Sequence, residues 1–406
     1  MSEGAFSEVR VIDLTHYIAG PFSTKLLADY GADVVKVEPP GGEGGRWLWP
    51  FKGNEPGLER SGTFAYLNTN KRGVVLNLKR ADARAALLKL VETADLVVES
   101  YAPGTMDSLG LGYDALRRVN PSVSLLSVSN FGQTGPYRDW AGSEIVLFGM
   151  GGEMYSMGLA DREPIKMGGT AAILQSGSAA AVAGAAAAFG RKTGLPSQHI
   201  DVAIFETLLT GVDRRHATIN GYQFTGGRVT TRASAASFAG FAGGVFPCVD
   251  GYVEINAGGP GRSFDQVRIM LGRPPELAGP EFDDPAASLN PELKAIFDEV
   301  FFPWLFSHTK REIWAAGQEG HVLCAPLYTM DDVFTDPSLR ERGFFVKTFK
   351  EGIGEFELPG RPFLMSESPW ELRRAAPTLG QHTAEVLAEV GYSAADATRF
   401  ASAEVA

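Results

Sequence analysis

The apolar positions of the first 130 residues switch repeatedly between two periods. Residues 9–13, Val-Arg-Val-Ile-Asp, form a short apolar run of the kind a buried strand presents. Across 17–30, Ile18, Phe22, Leu26 and Leu27 recur at helical spacing. Residues 33–38 read as a second strand, and 74–78, 96–99 and 123–129 as three more. Helical patterns over 81–93 and 113–119 separate the last three. Such alternation predicts an α/β fold: a parallel sheet with helices on both faces and right-handed crossovers. Residues 177–190, GSAAAVAGAAAAFG, predict a buried central helix, because alanine favours the helix and its small side chain permits close packing. Arg191 and Lys192 suit its last turn, and Gly194 its C-cap.

Beyond 225 the pattern changes. Small and polar residues dominate 225–245, as in a linker or loop. Residues 244–255 read as a hairpin turning at Asp250-Gly251. Residues 263–320 look helical, and 343–365 read as a strand pair turning near 352–354. At 406 residues the chain exceeds one hydrophobic core, so two domains are expected.

Composition narrows the class. With 44% hydrophobic and 21% charged residues the chain is of the folding kind. Its net charge of −11, without a basic stripe, argues against a nucleic-acid partner. Two cysteines, Cys248 and Cys324, make no disulfide framework and fit a reducing compartment. The acidic, polar start is not a signal peptide, and the apolar run 179–189 is too short to span a bilayer. A soluble cytoplasmic protein, with no membrane partner, is the expectation.

Local motifs carry little chemistry by themselves. Neither a dinucleotide-binding nor a P-loop glycine pattern is present, nor a hydrolase elbow. The six histidines share no metal-ligand spacing and neither cysteine lies near one, so no metal site is expected. Residues 41–46, Gly-Gly-Glu-Gly-Gly-Arg, follow the second strand, where open α/β sheets bind ligands. A flexible surface loop is the simpler reading of them. Asn68-Thr69-Asn70-Lys71-Arg72-Gly73 fits a phosphate grip or a solvated turn equally well.

Several segments together resemble the class III CoA-transferases, the family of formyl-CoA:oxalate and carnitine CoA-transferases. They are 11–15, Ala19-Gly20-Pro21, 27–40, 68–78, Pro103-Gly104 with 109–111, 129–137, 358–363 and 379–383. They keep the family's order and spread over most of the chain. The resemblance implies a Rossmann-like large domain built from both chain ends, here 1–220 with 366–406. A smaller α+β domain would occupy 230–365, and two subunits would interlock. It implies CoA and acyl-CoA as substrates, with no covalently bound cofactor, and CoA contacts at Asn70, Lys71, Arg72, Phe131 and Gly132. A glycine loop facing the active site is matched by Gly258, Gly259 and Gly261. Because CoA is anionic, its site would need a local basic pocket within an acidic chain.

The family's reaction runs through an aspartate. Its carboxylate attacks the thioester to give a mixed anhydride, and CoA thiolate returns to give an enzyme thioester. That aspartate stands five residues after one glycine and four before another. Gly168 and Gly177 occupy those places, and both counts land on Ile173. Ala102 stands where the family often carries a CoA-holding arginine, and Glu144 matches an aspartate common after the Gly-Pro-Tyr segment. The family includes paired enzymes, such as succinyl-CoA:benzylsuccinate CoA-transferase, in which one of two related subunits bears the aspartate. The expectation is a non-catalytic subunit paired with a homologous chain that carries the aspartate, moving CoA between an acyl-CoA and a carboxylic acid. Two alternatives stand beside it: a non-enzymatic acyl-CoA-binding or scaffold protein, and an active enzyme using Glu144, Glu153 or Glu163.

Overall fold

The computed structural model describes residues 4–211, 213–227, 240–257, 263–284 and 286–402. The chain forms two compact units. The first comprises 1–157, 164–230 and 343–406, and the second 158–163 and 231–342.

The first unit is built on a six-stranded parallel sheet. Its strands are β1 (Arg10–Leu14), β2 (Asp33–Glu38), β3 (Arg72–Val75), β4 (Leu96–Glu99), β5 (Ser124–Ser129) and β6 (His199–Ala203), in the order β3-β2-β1-β4-β5-β6. Ile12 pairs with Val35 on one side and Val97 on the other. Strand pleating then divides the apolar residues between two cores. Ile12, Val35 and Val97 face one core and Val11, Val34 and Val98 the other. Helices α1 (Ala19–Asp29), α2 (Gly62–Leu67), α3 (Ala81–Val91), α4 (Thr105–Ser108), α5 (Tyr113–Val119), α6 (Glu144–Met150) and α7 (Ala171–Lys192) follow in chain order. Leu87 and Leu90 of α3 fill the first core, and Leu27 of α1 with Ala180 and Ala187 of α7 fill the second.

The alanine-rich run lies inside α7, whose 22 residues make it, by length and composition, the one candidate membrane span among the described residues. Half of its apolar window is nevertheless buried inside the protein. A Cβ on Gly177 would come within 2.6 Å of the Ala19 carbonyl oxygen, and one on Gly184 within 3.2 Å of Leu96. Those glycines let α7 lie directly on α1 and the sheet.

The chain's end returns to the same unit. Val386, Leu387 and Phe400 enter the first core, and His382 N–H donates to the Gly73 carbonyl beside β3 (2.8 Å). β3 begins at Arg72 and stops at Val75, short of the expected 78, and the Asn77 N–H donates to Phe400 instead (2.9 Å). The expected strand pair is β10 (Phe345–Lys350) with β11 (Gly354–Pro359), antiparallel, and it groups with the first unit.

In the second unit β7 (Gly243–Cys248), β8 (Gly251–Asn256) and β9 (Leu323–Pro326) make an antiparallel sheet. The hairpin turns at Val249-Asp250, one residue earlier than the sequence suggested, because Cys248 already pairs with Gly251. Helices Phe264–Met270, Pro291–Ser307 and Lys310–Gly320 cover the expected helical stretch. Phe241, Phe282, Phe297 and Phe301 lie in the core of this unit.

Candidate functional site

The order of the large sheet reverses between β1 and β4, and open α/β sheets hold ligands in the crevice at the carboxyl ends of such strands. A cavity of about 790 Å³ lies there. Its walls are the 16–20 segment after β1, the 100–103 segment after β4, the end of β5, residues 138–147, and Ile173 and Ile204.

Beneath it is a buried ionic network. Asp13 accepts from Lys71 Nζ (3.0 Å), Thr24 Oγ1 (2.7 Å), and both the amide (2.9 Å) and hydroxyl (2.6 Å) of Thr15, with Lys36 Nζ at 3.7 Å. Burial would raise the Asp13 carboxyl, but the charges of Lys36 and Lys71 and the two hydroxyls outweigh it and hold it well below the usual range. Lys36 Nζ also donates to the Thr15 carbonyl. This network fixes the segment from which His16 and Tyr17 reach the cavity. Tyr17 sits at φ 65°, a left-handed conformation uncommon for a non-glycine residue, and its N–H is held by Glu43 (2.9 Å).

That contact settles the glycine-rich segment 41–46. Glu43 accepts from Tyr17 N and Gly45 N (2.5 Å), while Glu43 N donates to Glu38 (3.1 Å). Those backbone donors already hold internal carboxylates, and Arg46 is buried against Glu38 and Glu59. The segment is an internal turn, neither a phosphate cradle nor a free surface loop.

The CoA contacts expected at 70–72 fall on residues that already have partners within the chain. All three residues are buried, and none lines the cavity. Lys71 Nζ is saturated by Asp13, Pro21 O (2.8 Å) and Asn68 (2.8 Å). Arg72 forks onto Asp33 (2.9 and 2.7 Å) and pairs with Glu385 and Glu389. Asn70 joins Asp29 (2.7 Å) to the returning chain at Glu371 and Arg373. The run that reads as a phosphate grip ties β3 to the rest of the unit. Phe131 and Gly132 also lie off the cavity. Phe131 is buried edge-on to Tyr137, and Gly132, at φ 88°, passes close to Asp201. Gly258, Gly259 and Gly261 lie outside the described residues.

Ile173 does line the cavity. It is half-buried in the first turn of α7, and its side chain packs against the core beneath. Thr170 precedes that turn without a side-chain cap. Glu144, in the first turn of α6, lies on the same cavity and is paired with Lys166 (2.6 Å). Lys166 Nζ also donates to the carbonyls of Met167 (2.7 Å) and Gly169 (2.9 Å), just ahead of α7. Glu153 is buried away from the cavity lining, and Glu163 is exposed in the second unit.

Ala102 lines the cavity as a small exposed residue. The local basic pocket expected for CoA reduces, among the described residues of the lining, to Arg138. It donates to the Gln133 carbonyl (3.0 Å) and pairs with Asp139 (2.9 Å).

Sequence reasoning missed His16, Tyr101, Ser129 and Asn130. Each stands just past, or at, the carboxyl end of a strand, which is the signal that would have found them. His16 Nε2 and Ser129 Oγ are buried without a hydrogen-bond partner. Burial, and then Lys36, lower the His16 imidazole below its ordinary value and keep it neutral. Among the described residues no group of three His, Cys, Asp or Glu side chains is placed to hold a metal ion.

Known proteins share this architecture. The model of CoA-transferase family III matches residues 6–383. The chain is 33% identical over 399 residues to the succinyl-CoA:(R)-benzylsuccinate CoA-transferase subunit BbsE of Thauera aromatica, covering 96% of this chain and 95% of that one. It is 32% identical to a succinate–glutarate CoA-transferase of Agrobacterium fabrum, with 95% of each covered. The crystal structure of a CAIB/BAIF family protein from Brucella suis superimposes with a TM-score of 0.82 at 28% identity, covering 96% of this chain and 100% of that one. With a family model spanning nearly its whole length and a doubly wound sheet open at β1 and β4, the chain belongs to CoA-transferase family III.

Proposed function

We propose that this chain is a subunit of a CoA-transferase that moves CoA between an acyl-CoA and a carboxylic acid, and that it contributes no catalytic carboxylate of its own. The observation that carries the reading is Ile173. It stands on the wall of the strand-end cavity, in the first turn of α7, where glycine spacing places the family's aspartate. A carboxylate there would lie beside first-turn N–H groups and the positive end of a long helix, which favour its charged form. Isoleucine offers neither charge nor nucleophile. The cavity then binds a CoA thioester without forming an acyl adduct, and turnover belongs to a homologous partner chain. That one similar protein is itself named as a subunit supports the pairing.

The test is an adduct trap. The purified chain is incubated with acyl-CoA, quenched with hydroxylamine or borohydride, and mapped by mass spectrometry. No modified carboxylate is expected, and CoA transfer should appear only when a homologous chain bearing the aspartate is added. A trapped adduct would overturn the reading, and Glu144 is where it would be sought, since its carboxylate shares the cavity with Ile173. Against that role stands Lys166, which holds the Glu144 carboxylate in an ion pair.

A further inference from the structure

We infer that the cavity of this chain selects a CoA thioester whose acyl group is apolar and uncharged, and discriminates against dicarboxylic acyl groups. The inference rests on the CoA-thioester reading above and goes beyond it in naming the acyl class. Two features of the lining carry it.

The first is charge. Among the described residues of the lining, Arg138 is the one lysine or arginine, and it is engaged by Asp139 and the Gln133 carbonyl. Two carboxylates, Asp139 and Glu144, face the same space. Lys166, which pairs with Glu144, is not part of the lining, and its ammonium also serves two backbone carbonyls. His16 adds no charge, because burial and Lys36 keep its ring neutral. A second carboxylate, carried in on the acyl group, would lose its hydration and find each charge of the wall already paired, Arg138 with Asp139 and Glu144 with Lys166, with no unengaged cation to receive it.

The second is the surface the acyl group would touch. Leu147, Ile173, Ile204 and Val128 supply hydrocarbon to the lining. Where the family's aspartate would put a charge, Ile173 puts a branched alkyl group. The polar atoms that do await a partner are few and neutral. Ser129 is only 7% exposed and its hydroxyl is unpaired, as is His16 Nε2. Both side chains line the cavity. Neither polar atom is exposed to the cavity, so the surface offered to the acyl group is mainly hydrocarbon. The lining therefore suits an uncharged, apolar tail.

The test is isothermal titration of the full-length chain, together with any partner that co-purifies, against free CoA, phenylacetyl-CoA and succinyl-CoA. Phenylacetyl-CoA should bind roughly tenfold or more tightly than succinyl-CoA. Succinyl-CoA binding as tightly as phenylacetyl-CoA, with free CoA also bound, would overturn the acyl-class inference and leave the CoA-thioester reading standing. Failure of all three ligands to bind would remove that reading and the inference with it.

Discussion

Asp13, Lys36 and Lys71 are fully buried, and each is held by the others or by backbone carbonyls. Removing one member of such a cluster is costlier than removing an exposed ion pair, because it strands the remaining charge. Lys71→Met leaves Asp13 with Lys36 as its remaining cationic partner, at 3.7 Å. The expected loss is about 3–5 kcal/mol of unfolding free energy, read by urea denaturation. CoA affinity of the folded fraction should stay where it was. A variant of undiminished stability that binds CoA poorly would restore Lys71 to the binding site. Glu99 makes a second case. Burial raises its carboxyl to about 7, against a hydrogen bond from Ser127 and one from the Tyr101 amide, and the nearby charges of Asp201 and Asp107 raise it further. A folded value above the unfolded one means the folded state binds the extra proton. Stability is greatest below the unfolded value, near 4.5, and falls as pH rises toward 7. Glu99→Gln, which cannot ionise, should abolish that slope. It should match the parent near pH 4.5 and exceed it at pH 8 by up to about 3 kcal/mol. Denaturation curves at the two pH values check this, and a variant weaker than the parent at pH 8 would count against it.

Among the elements, α7 shows packing overruling propensity. Gly→Ala in an exposed helix interior gains about 1 kcal/mol. At Gly177 the new Cβ would meet the Ala19 carbonyl at 2.6 Å, so Gly177→Ala should lower stability by about 1–3 kcal/mol despite that gain. Val182→Ala, on the same helix but 71% exposed, should stay within about 0.5 kcal/mol. Thermal melts decide, and a Gly177→Ala melt at or above the parent's would break the argument. The helix, and five of the six parallel strands, were legible in the sequence because each is a sustained apolar pattern. β6 was not. It is an edge strand whose first residues, His199 and Asp201, are exposed, so polar residues interrupt the pattern. Of the residues the sequence singled out, Ile173, Ala102 and Glu144 lie on the cavity wall. The rest of that wall depends on which side chains meet at strand ends, and neither period nor motif encodes that. The Lys71-Arg72 pair shows the difficulty, because two adjacent cations look alike in sequence whether they await a phosphate or neutralise buried carboxylates.

At the scale of the whole molecule, the described surface leaves large apolar side chains uncovered. Val182 and Phe189 lie seven residues apart, on one face of α7, at 71% and 69% exposure, and Phe224 is at 86%. We expect this chain to associate, with a homologous subunit as the preferred partner. Light scattering after size exclusion should find an oligomer of the co-expressed pair, and Val182→Glu with Phe189→Glu should weaken it. A monodisperse parent monomer at micromolar concentration would contradict the expectation. The order of the units along the chain carries a further consequence. The second unit is contiguous from 231 to 342 apart from 158–163, whereas the first is completed only by 343–406. During synthesis the inserted unit is therefore whole while the large sheet still lacks the segment that supplies Val386, Leu387 and Phe400 to one of its cores. At roughly 5–20 residues per second that interval lasts several seconds. Through it the nascent chain keeps open apolar surface at the ribosome exit, where holdase chaperones, or a partner subunit being translated nearby, would meet it first.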